Sequence, residues 1–168
     1  MLNQIAAIHG TGVAASTTSY ESIATVTVGA GGSSAIDFTS IPTTYKHLQI
    51  RASYQGSLQD KNVWLQVGNG SVDTGANYSS HYLYGFGSGT GAAAATSESK
   101  MSLLAFYYTE NNTAVFVMDL LEYANTNTYK TVRSLHGNDS NGIGQVGLSS
   151  GSWRSTSAIN TIKLTLLS

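Results

Sequence analysis

The sequence contains no cysteine, a single proline at Pro42 and few charged side chains. Without cysteine, neither a disulfide framework nor a thiolate metal site can form. Only 10% of the 168 residues are charged and the formal net charge is -1, whereas an ordinary domain has about 25% charged residues. Because capture of nucleic acid needs a clustered excess of lysine and arginine, we expect no nucleic acid partner.

The N-terminal stretch Met1–Ser19 lacks a basic leader, and its apolar residues are interrupted by glycine, histidine and threonine. We therefore expect neither a signal peptide nor a membrane span. Its small and polar residues are typical of an extended arm, and either a disordered tail or an arm that docks on a neighbour fits them. The predicted organisation is an extended N-terminal arm over residues 1–19 and one β-sandwich domain over residues 20–168.

From Tyr20 onward, the dominant pattern is the two-residue alternation of half-buried strands. After Pro42, the apolar residues Leu48, Ile50 and Ala52 alternate with polar residues, so this strand has one dry and one wet face. Other segments of strand character are separated by glycine, asparagine or serine: Ser22–Gly29, Ala35–Phe38, Asn62–Gly70, Asn77–Gly87, Lys100–Tyr108, Thr113–Tyr123, Tyr129–Gly137, Gly142–Trp153 and Ile159–Leu167.

About nine or ten short strands at this spacing predict an all-β fold, an antiparallel two-sheet β-sandwich that is jelly-roll-like. The glycine pair between Ser22–Gly29 and Ala35–Phe38 predicts that these two segments form a hairpin. The best helical candidate is Gly91–Ala105, because of its alanine run, although its first half fits a flexible loop equally well.

Patterns that would indicate catalysis or metal binding are weak. The sequence has no G-x-S-x-G elbow between a strand and a helix, and His9, His47, His81 and His136 lie too far apart for zinc spacing. The stretch His136–Gly144 faintly resembles a calcium loop but lacks the later carboxylates, so a polar turn is the better interpretation. We expect a non-enzymatic protein with no catalytic residue, cofactor or metal.

Two nearby acids, Asp119 and Glu122, suggest the paired carboxylates of a glycosidase. A simpler prediction is that one of them pairs with Lys130 or Arg133 across a hairpin.

Aromatic and arginine side chains at inferred surface positions are the candidate partner-binding residues, since tryptophan, tyrosine and arginine dominate binding hot spots. Trp64 lies on the face of its strand opposite to the apolar residues, and either a partner or a loop or arm of the same chain covers it. Trp153 and Arg154 lie in a glycine- and serine-bounded stretch predicted to be a loop. Tyr82 and Tyr84 complete the set.

Four blocks of sequence resemble, in the same order, a family of virion structural proteins of tailed bacteriophages, especially cyanophages and marine phages. The blocks are Tyr20–Arg51, Asn77–Gly85, Leu121–Asp139 and Gly151–Leu164. The resemblance implies a non-enzymatic head decoration (cement) or tail-fibre-like protein. It also implies a jelly roll or related β-sandwich in a symmetric oligomer, commonly a trimer.

We therefore expect a capsid decoration protein, made in the host cytoplasm and bound to the outer surface of the head. Its partners would be the major capsid protein lattice and further copies of itself in a homotrimer, with no membrane partner. The alternative is a tail-fibre or receptor-binding module that stacks its tyrosines on sugar rings. A glycan is a partner only under that alternative.

Overall fold

The computed structural model describes residues 20–55, 62–104 and 112–166, which fold into two antiparallel sheets and contain no helix. The described strands, in chain order, are β1 (Ala35–Phe38), β2 (His47–Tyr54), β3 (Val63–Asn69), β4 (Ser71–Val72), β5 (Tyr78–Phe86), β6 (Gly89–Glu98), β7 (Met101–Leu104), β8 (Ala114–Leu121), β9 (Lys130–Ser140), β10 (Ile143–Trp153) and β11 (Thr161–Leu166).

The two sheets form the β-sandwich that the sequence predicts. The six-stranded sheet has the order β2-β8-β9-β10-β5-β6, and the five-stranded sheet has the order β1-β11-β3-β4 with β7 also paired to β3. The chain passes from one sheet to the other after β1, β2, β4, β6, β7 and β10. The chain therefore alternates between the two sheets instead of forming a simple meander within each.

The core lies between the sheets and follows the alternation of the strands. In β3, Val63, Leu65 and Val67 are buried, as expected from their common face. In β8, Phe116 and Met118 are buried on the inner face of the six-stranded sheet. Burial of these apolar side chains is the main term that holds the two sheets together.

One charged side chain, Lys130, lies inside the sandwich at the start of β9. Its ammonium group donates hydrogen bonds to the carbonyl oxygens of Asn125, Thr128 at 2.8 Å and Thr156 at 3.2 Å. Burial lowers its pKa, and the three acceptors replace the water that the ammonium group loses. Lys130 therefore fixes the connection before β9 and is not the partner of Asp119.

The predicted hairpin between Ser22–Gly29 and Ala35–Phe38 is wrong. The residues of Ser22–Gly29 belong to no strand, while β1 pairs antiparallel with β11, for example Phe38 with Ile162. The glycine pair does form a turn, in which the N–H of Gly32 donates to the carbonyl of Gly29 at 2.9 Å. Pairing with β11 places Ile36 and Phe38 against the core, and the local turn gives no comparable burial.

The helical candidate Gly91–Ala105 is also wrong, as is the loop considered for its first half. Its alanine run lies in β6, which pairs residue by residue with β5, including Leu83 with Ala92 and Tyr82 with Ala93. Met101–Leu104 form β7. Cross-strand pairing outweighs the helix propensity of alanine, which amounts to a fraction of a kcal/mol per residue.

The predicted polar turn in His136–Gly144 is confirmed as the end of the β9–β10 hairpin. Asn141 and Gly142 have φ angles of 54° and 88°, the positive values of a two-residue hairpin turn. The N–H of Gly142 donates to Oδ1 of Asp139 at 3.0 Å. The predicted arm over residues 1–19 and the residues 105–108 of the predicted strand Lys100–Tyr108 lie outside the described residues.

Candidate functional site

The outer face of the six-stranded sheet carries a continuous row of apolar side chains. Strand registers place Val117 of β8 beside Leu135 of β9, Leu135 beside Leu148 of β10, Leu148 beside Leu83 of β5, and Leu83 beside Ala92 of β6. The three leucines are 50–59% exposed. We call these five residues the apolar row.

A second row runs parallel to it and widens the apolar surface. Val115 of β8 and Val146 of β10 are 51% and 60% exposed, and each pairs with Gly137 of β9. Gly85 of β5 continues the row beyond Val146. The two glycines carry no side chain, so the surface between the valines is low. Together the two rows form one continuous apolar patch, whereas exposed hydrophobic residues on most protein surfaces are scattered singly.

On its other side the apolar row is bordered by a chain of polar contacts. The guanidinium group of Arg133 lies 3.0 Å from Oδ2 of Asp119, directly across the strand pair β8–β9. This is the cross-strand ion pair predicted from the sequence. Gln49 donates to Oδ1 of the same carboxylate at 2.8 Å, and Arg51 donates to Gln49 at 2.6 Å.

These contacts leave the border polar but locally neutralised. The hydrogen bond from Gln49, helped by Arg133, lowers the pKa of the Asp119 carboxyl group, so Asp119 is ionised and paired. At the end of the apolar row, Cζ of Arg51 lies 5.1 Å from the centroid of the Tyr20 ring, a cation–π contact. The charges near the row therefore satisfy one another, and the row itself carries none.

A shallow depression lies at the β10–β5–β6 end of the apolar row. Its open volume is ≈ 570 Å³, and its lining includes the apolar residues Leu83, Leu148, Ala92 and Ala94 together with His81 and Arg133. The alanines of β6 make the floor shallow. A depression with an apolar floor and a polar rim is the general form of a site that receives a side chain of a partner.

On the inner face of β5, three aromatic rings form a ladder. The ring centroids of Tyr82 and Tyr84 lie 6.1 Å apart, and those of Tyr84 and Phe86 lie 5.8 Å apart with an interplanar angle of 26°. The Tyr84 ring packs over Gly91 of β6, where a Cβ atom would lie 2.6 Å from it. Both tyrosines are half-buried, so the ladder presents ring edges and faces at the margin of the sandwich.

Trp64 lies on the outer face of the five-stranded sheet, as predicted. Its ring is half-buried, and Nζ of Lys100 lies 4.4 Å from the ring centroid. The neighbouring Gln66 donates to the carbonyl of Ser99 at 3.0 Å. The short link between β6 and β7 therefore covers part of Trp64. This favours cover by the same chain over cover by a partner.

The prediction of an exposed loop around Trp153 is wrong. Trp153 is the last residue of β10 and is only 3% exposed. Its indole N–H donates to Oδ2 of Asp73 at 2.8 Å. Burial alone would raise the pKa of Asp73, but this bond and those from Gly75 and Asn77 lower it. Trp153 thus fixes the loop before β5.

The five predicted partner-binding residues therefore do not form one site. Tyr82 and Tyr84 lie together in the ladder, Trp64 lies on the other sheet and Trp153 is buried. Arg154 is exposed, and its backbone N–H donates to the carbonyl of Asn77 at 2.8 Å. Sequence reasoning missed the leucines of the apolar row. Apolar residues at both odd and even positions of β5 and β10 could have indicated that both faces of these strands are apolar.

Acidic and histidine residues do not converge in the described part of the chain. Glu122 accepts from the amide of Asn125 at 3.1 Å, and its backbone N–H donates to Nδ1 of His47 at 3.0 Å. Among the described residues there is no group of three or more histidine, aspartate or glutamate side chains that could hold a metal ion. The same residues contain no helix that is long and apolar enough to cross a membrane.

Comparison of the chain with protein-family models, curated proteins and solved structures found no match.

Proposed function

We propose that this chain is a non-enzymatic structural protein of a tailed-phage virion that decorates the outside of the head. The outer face of the six-stranded sheet would dock on the major capsid protein lattice. The observation that carries this proposal is the apolar row with its flat neighbouring row, which spans from β8 to β6. The resemblance of four sequence blocks to virion structural proteins supports the same class.

The chemistry of this face suits a protein partner better than a small molecule. The row is broad, uncharged and bordered by paired charges, which is the arrangement of an apolar interface core with a polar rim. The Asp119–Arg133 pair at the rim would orient the partner and add little affinity because it remains hydrated.

Such a protein would act by mass action. A ligand that binds only the assembled lattice stabilises it by its binding free energy, and many copies on one head multiply the effect. The proposal includes synthesis in the host cytoplasm, location on the outer capsid surface and self-association as a homotrimer, which the resemblance implies. It requires no covalent chemistry, cofactor or metal.

The first test is the copy number of the protein in purified virions, measured by quantitative mass spectrometry relative to the major capsid protein. We expect hundreds of copies in a simple ratio to the lattice. A few to a few tens of copies would place the protein on the tail or at a vertex and would overturn the decoration role.

The second test measures binding of the purified chain to heads that lack it. Leu135→Lys and Leu148→Lys each place a charge in the centre of the apolar row and should weaken binding at least tenfold. Tyr129→Lys is the matched control, since Tyr129 is 57% exposed and lies outside the row. Equal binding by all variants would exclude this face as the docking surface.

A second candidate function, a glycan-binding module of a tail fibre, is favoured by the aromatic ladder Tyr82–Tyr84–Phe86. Successive rings about 6 Å apart along a strand can stack on successive sugar rings. Tyr84→Ala should abolish retention on a glycan array if this function is correct. Leu83→Ala, at the neighbouring position on the opposite face, is the control and should retain binding.

A further inference from the structure

The segment Tyr20–Val28 has the character of a β-strand but pairs with no strand. It is exposed along its whole length, and its apolar side chains Ile23, Val26 and Val28 are 42–47% exposed. No backbone hydrogen bond joins it to another described residue. Isoleucine, valine and threonine fill most of its second half, and these β-branched residues favour an extended chain within a sheet.

The free edge of β6 is a strand edge without a partner strand among the described residues. It is ten residues long, pairs only with β5 among the described strands, and carries no charge before Glu98. Natural proteins protect long edge strands with lysine, proline, bulges or a covering segment, because unpaired N–H and C=O groups template further strands. The edge of β6 has neither lysine nor proline, and its register irregularity falls between Ala95 and Glu98, where Ser97 has a φ of 58°. The stretch before Ala95 is therefore open to a further strand.

We propose that Tyr20–Val28 of one copy adds as a strand to the β6 edge of a second copy. Strand addition would satisfy the backbone groups of both elements. On the outer face, the valines of the added strand would lie beside Ala92 and Ala94, whose small side chains leave the depression above Leu83 and Leu148 open. The added strand would then extend the apolar row by one position.

The geometry of the chain makes the acceptor a second copy. Tyr20 contacts Arg51 of β2, and β2 and β6 are the two opposite edges of the same sheet. Five strand spacings of about 4.8 Å separate these edges, roughly 24 Å in all. After Val28 the chain turns and enters β1 of the other sheet. The segment therefore begins at the sheet edge opposite to its own β6.

The β2 edge is a less suitable acceptor. β2 carries the charged side chain of Arg51 within the strand, and charged side chains protect an edge strand against further pairing. A contact between Tyr20–Val28 and β6 joins two different surfaces, so the assembly would be head-to-tail. Such a contact gives a closed ring when the rotation between copies allows closure.

The mass of the full-length chain in solution tests the inference, by size-exclusion chromatography with light scattering. We expect a whole multiple of 17.6 kDa, of at least two copies. The donor variant Val26→Pro/Thr27→Pro should be monomeric, because adjacent N–H groups point to opposite sides of a strand and one of them must be lost from the new ladder. The acceptor variant Ala92→Lys/Ala94→Lys should also be monomeric.

Leu135→Lys is the matched control, because it places a charge on the same face but three strands from the edge. This variant should have the same oligomeric mass as the unaltered chain but should no longer bind heads. The mass therefore tests strand exchange, and head binding separately tests the proposed function. A monomeric unaltered chain at all concentrations, or donor and acceptor variants with the unaltered mass, would overturn the inference.

Cysteine cross-linking tests the same contact without disturbing it, since the chain has no cysteine of its own. Val26→Cys and Ala92→Cys are placed on separate, co-expressed copies, so that a 26–92 link can only join two copies. A short bismaleimide followed by peptide mapping should recover this link. In the control, the second copy carries Ser53→Cys on β2 in place of Ala92→Cys. A cross-link from residue 26 to residue 53, with none to residue 92, would show that the segment binds β2 and would contradict the β6 assignment.

Discussion

The two faces of the six-stranded sheet carry similar side chains in different surroundings. On β8, Phe116 and Met118 point inward and are buried, whereas Val115 and Val117 point outward and are exposed. The inner set packs against the five-stranded sheet, and no described element covers the outer set. Equal apolar character therefore serves stability on one face and stays exposed on the other, where we propose that a partner docks.

The largest expected difference in stability between the two faces comes from truncating one inward and one outward side chain of β8. Met118 is 0% and Val117 is 39% exposed. Met118→Ala should lower the free energy of unfolding by about 2–5 kcal/mol through lost burial and a cavity, whereas Val117→Ala should change it by about 0.5 kcal/mol or less. Urea titration at fixed protein concentration measures both, and equal losses would show that the outer face is covered in solution.

Acid should lower the free energy of unfolding through His136, which is buried on the inner face of the six-stranded sheet. Burial lowers its pKa from 6.5 to about 4, so between these values the unfolded chain binds a proton that the folded chain does not. The free energy of unfolding should therefore fall as the pH falls from 6.5 towards 4, by about 3 kcal/mol in total. His136→Gln should remove this slope in urea titrations across that range. A slope unchanged in the variant would contradict the assignment.

A pair of glycines extends the comparison to the backbone. A Cβ atom on Gly147 would lie 2.2 Å from Nε2 of His136 on the inner face, while one on Gly85 of the outer face would meet nothing closer than 3.8 Å. Gly147→Ala should cost about 1–3 kcal/mol through overpacking, and Gly85→Ala should be close to neutral. Thermal unfolding of the two variants side by side distinguishes them, and a stable Gly147→Ala would mean that the imidazole can move aside.

The smallest effect belongs to the ion pair that borders the apolar row. The Arg133 side chain is 60% exposed, so solvent screens its attraction to Asp119. Arg133→Ala should lower the free energy of unfolding by about 0.2–1 kcal/mol, and added salt should shrink the difference. Arg133→Gln serves as the uncharged control of similar length. A loss much larger than this would indicate that the pair is buried by another copy.

Much of the fold could be predicted because the signals are local. The alternation in Leu48–Ala52 and Val63–Val67 identifies two strands and their buried faces, and the Asn141-Gly142 pair identifies a hairpin turn. The sequence also predicted that Asp119 or Glu122 pairs with Lys130 or Arg133 across a hairpin, and the pair that forms is Asp119–Arg133. In each case the deciding interaction lies within one strand or one hairpin.

The errors arise where pairing with another strand overrides the local signal. The partner of β1 is β11, more than a hundred residues away in the chain, and the alanine run of β6 is a strand only because β5 lies beside it. Trp153 appeared to lie in a loop because its neighbours are glycine and serine, yet pairing with β5 and β9 continues β10 through it. Pairing with another strand decided all three, across most of the chain for β1 and across the β5–β6 hairpin for the alanine run, and residue propensity does not report pairing.

The sequence by itself determined that the chain is all-β, where most strands run and which residues share a face, because a strand repeats every two residues whatever surrounds it. The tertiary structure alone decided which of two apolar faces is covered and which edges are left open. Those outcomes depend on the order of strands in each sheet and on the extent of the opposing sheet. They separated the buried core of β8 from the exposed row that we assign to partners.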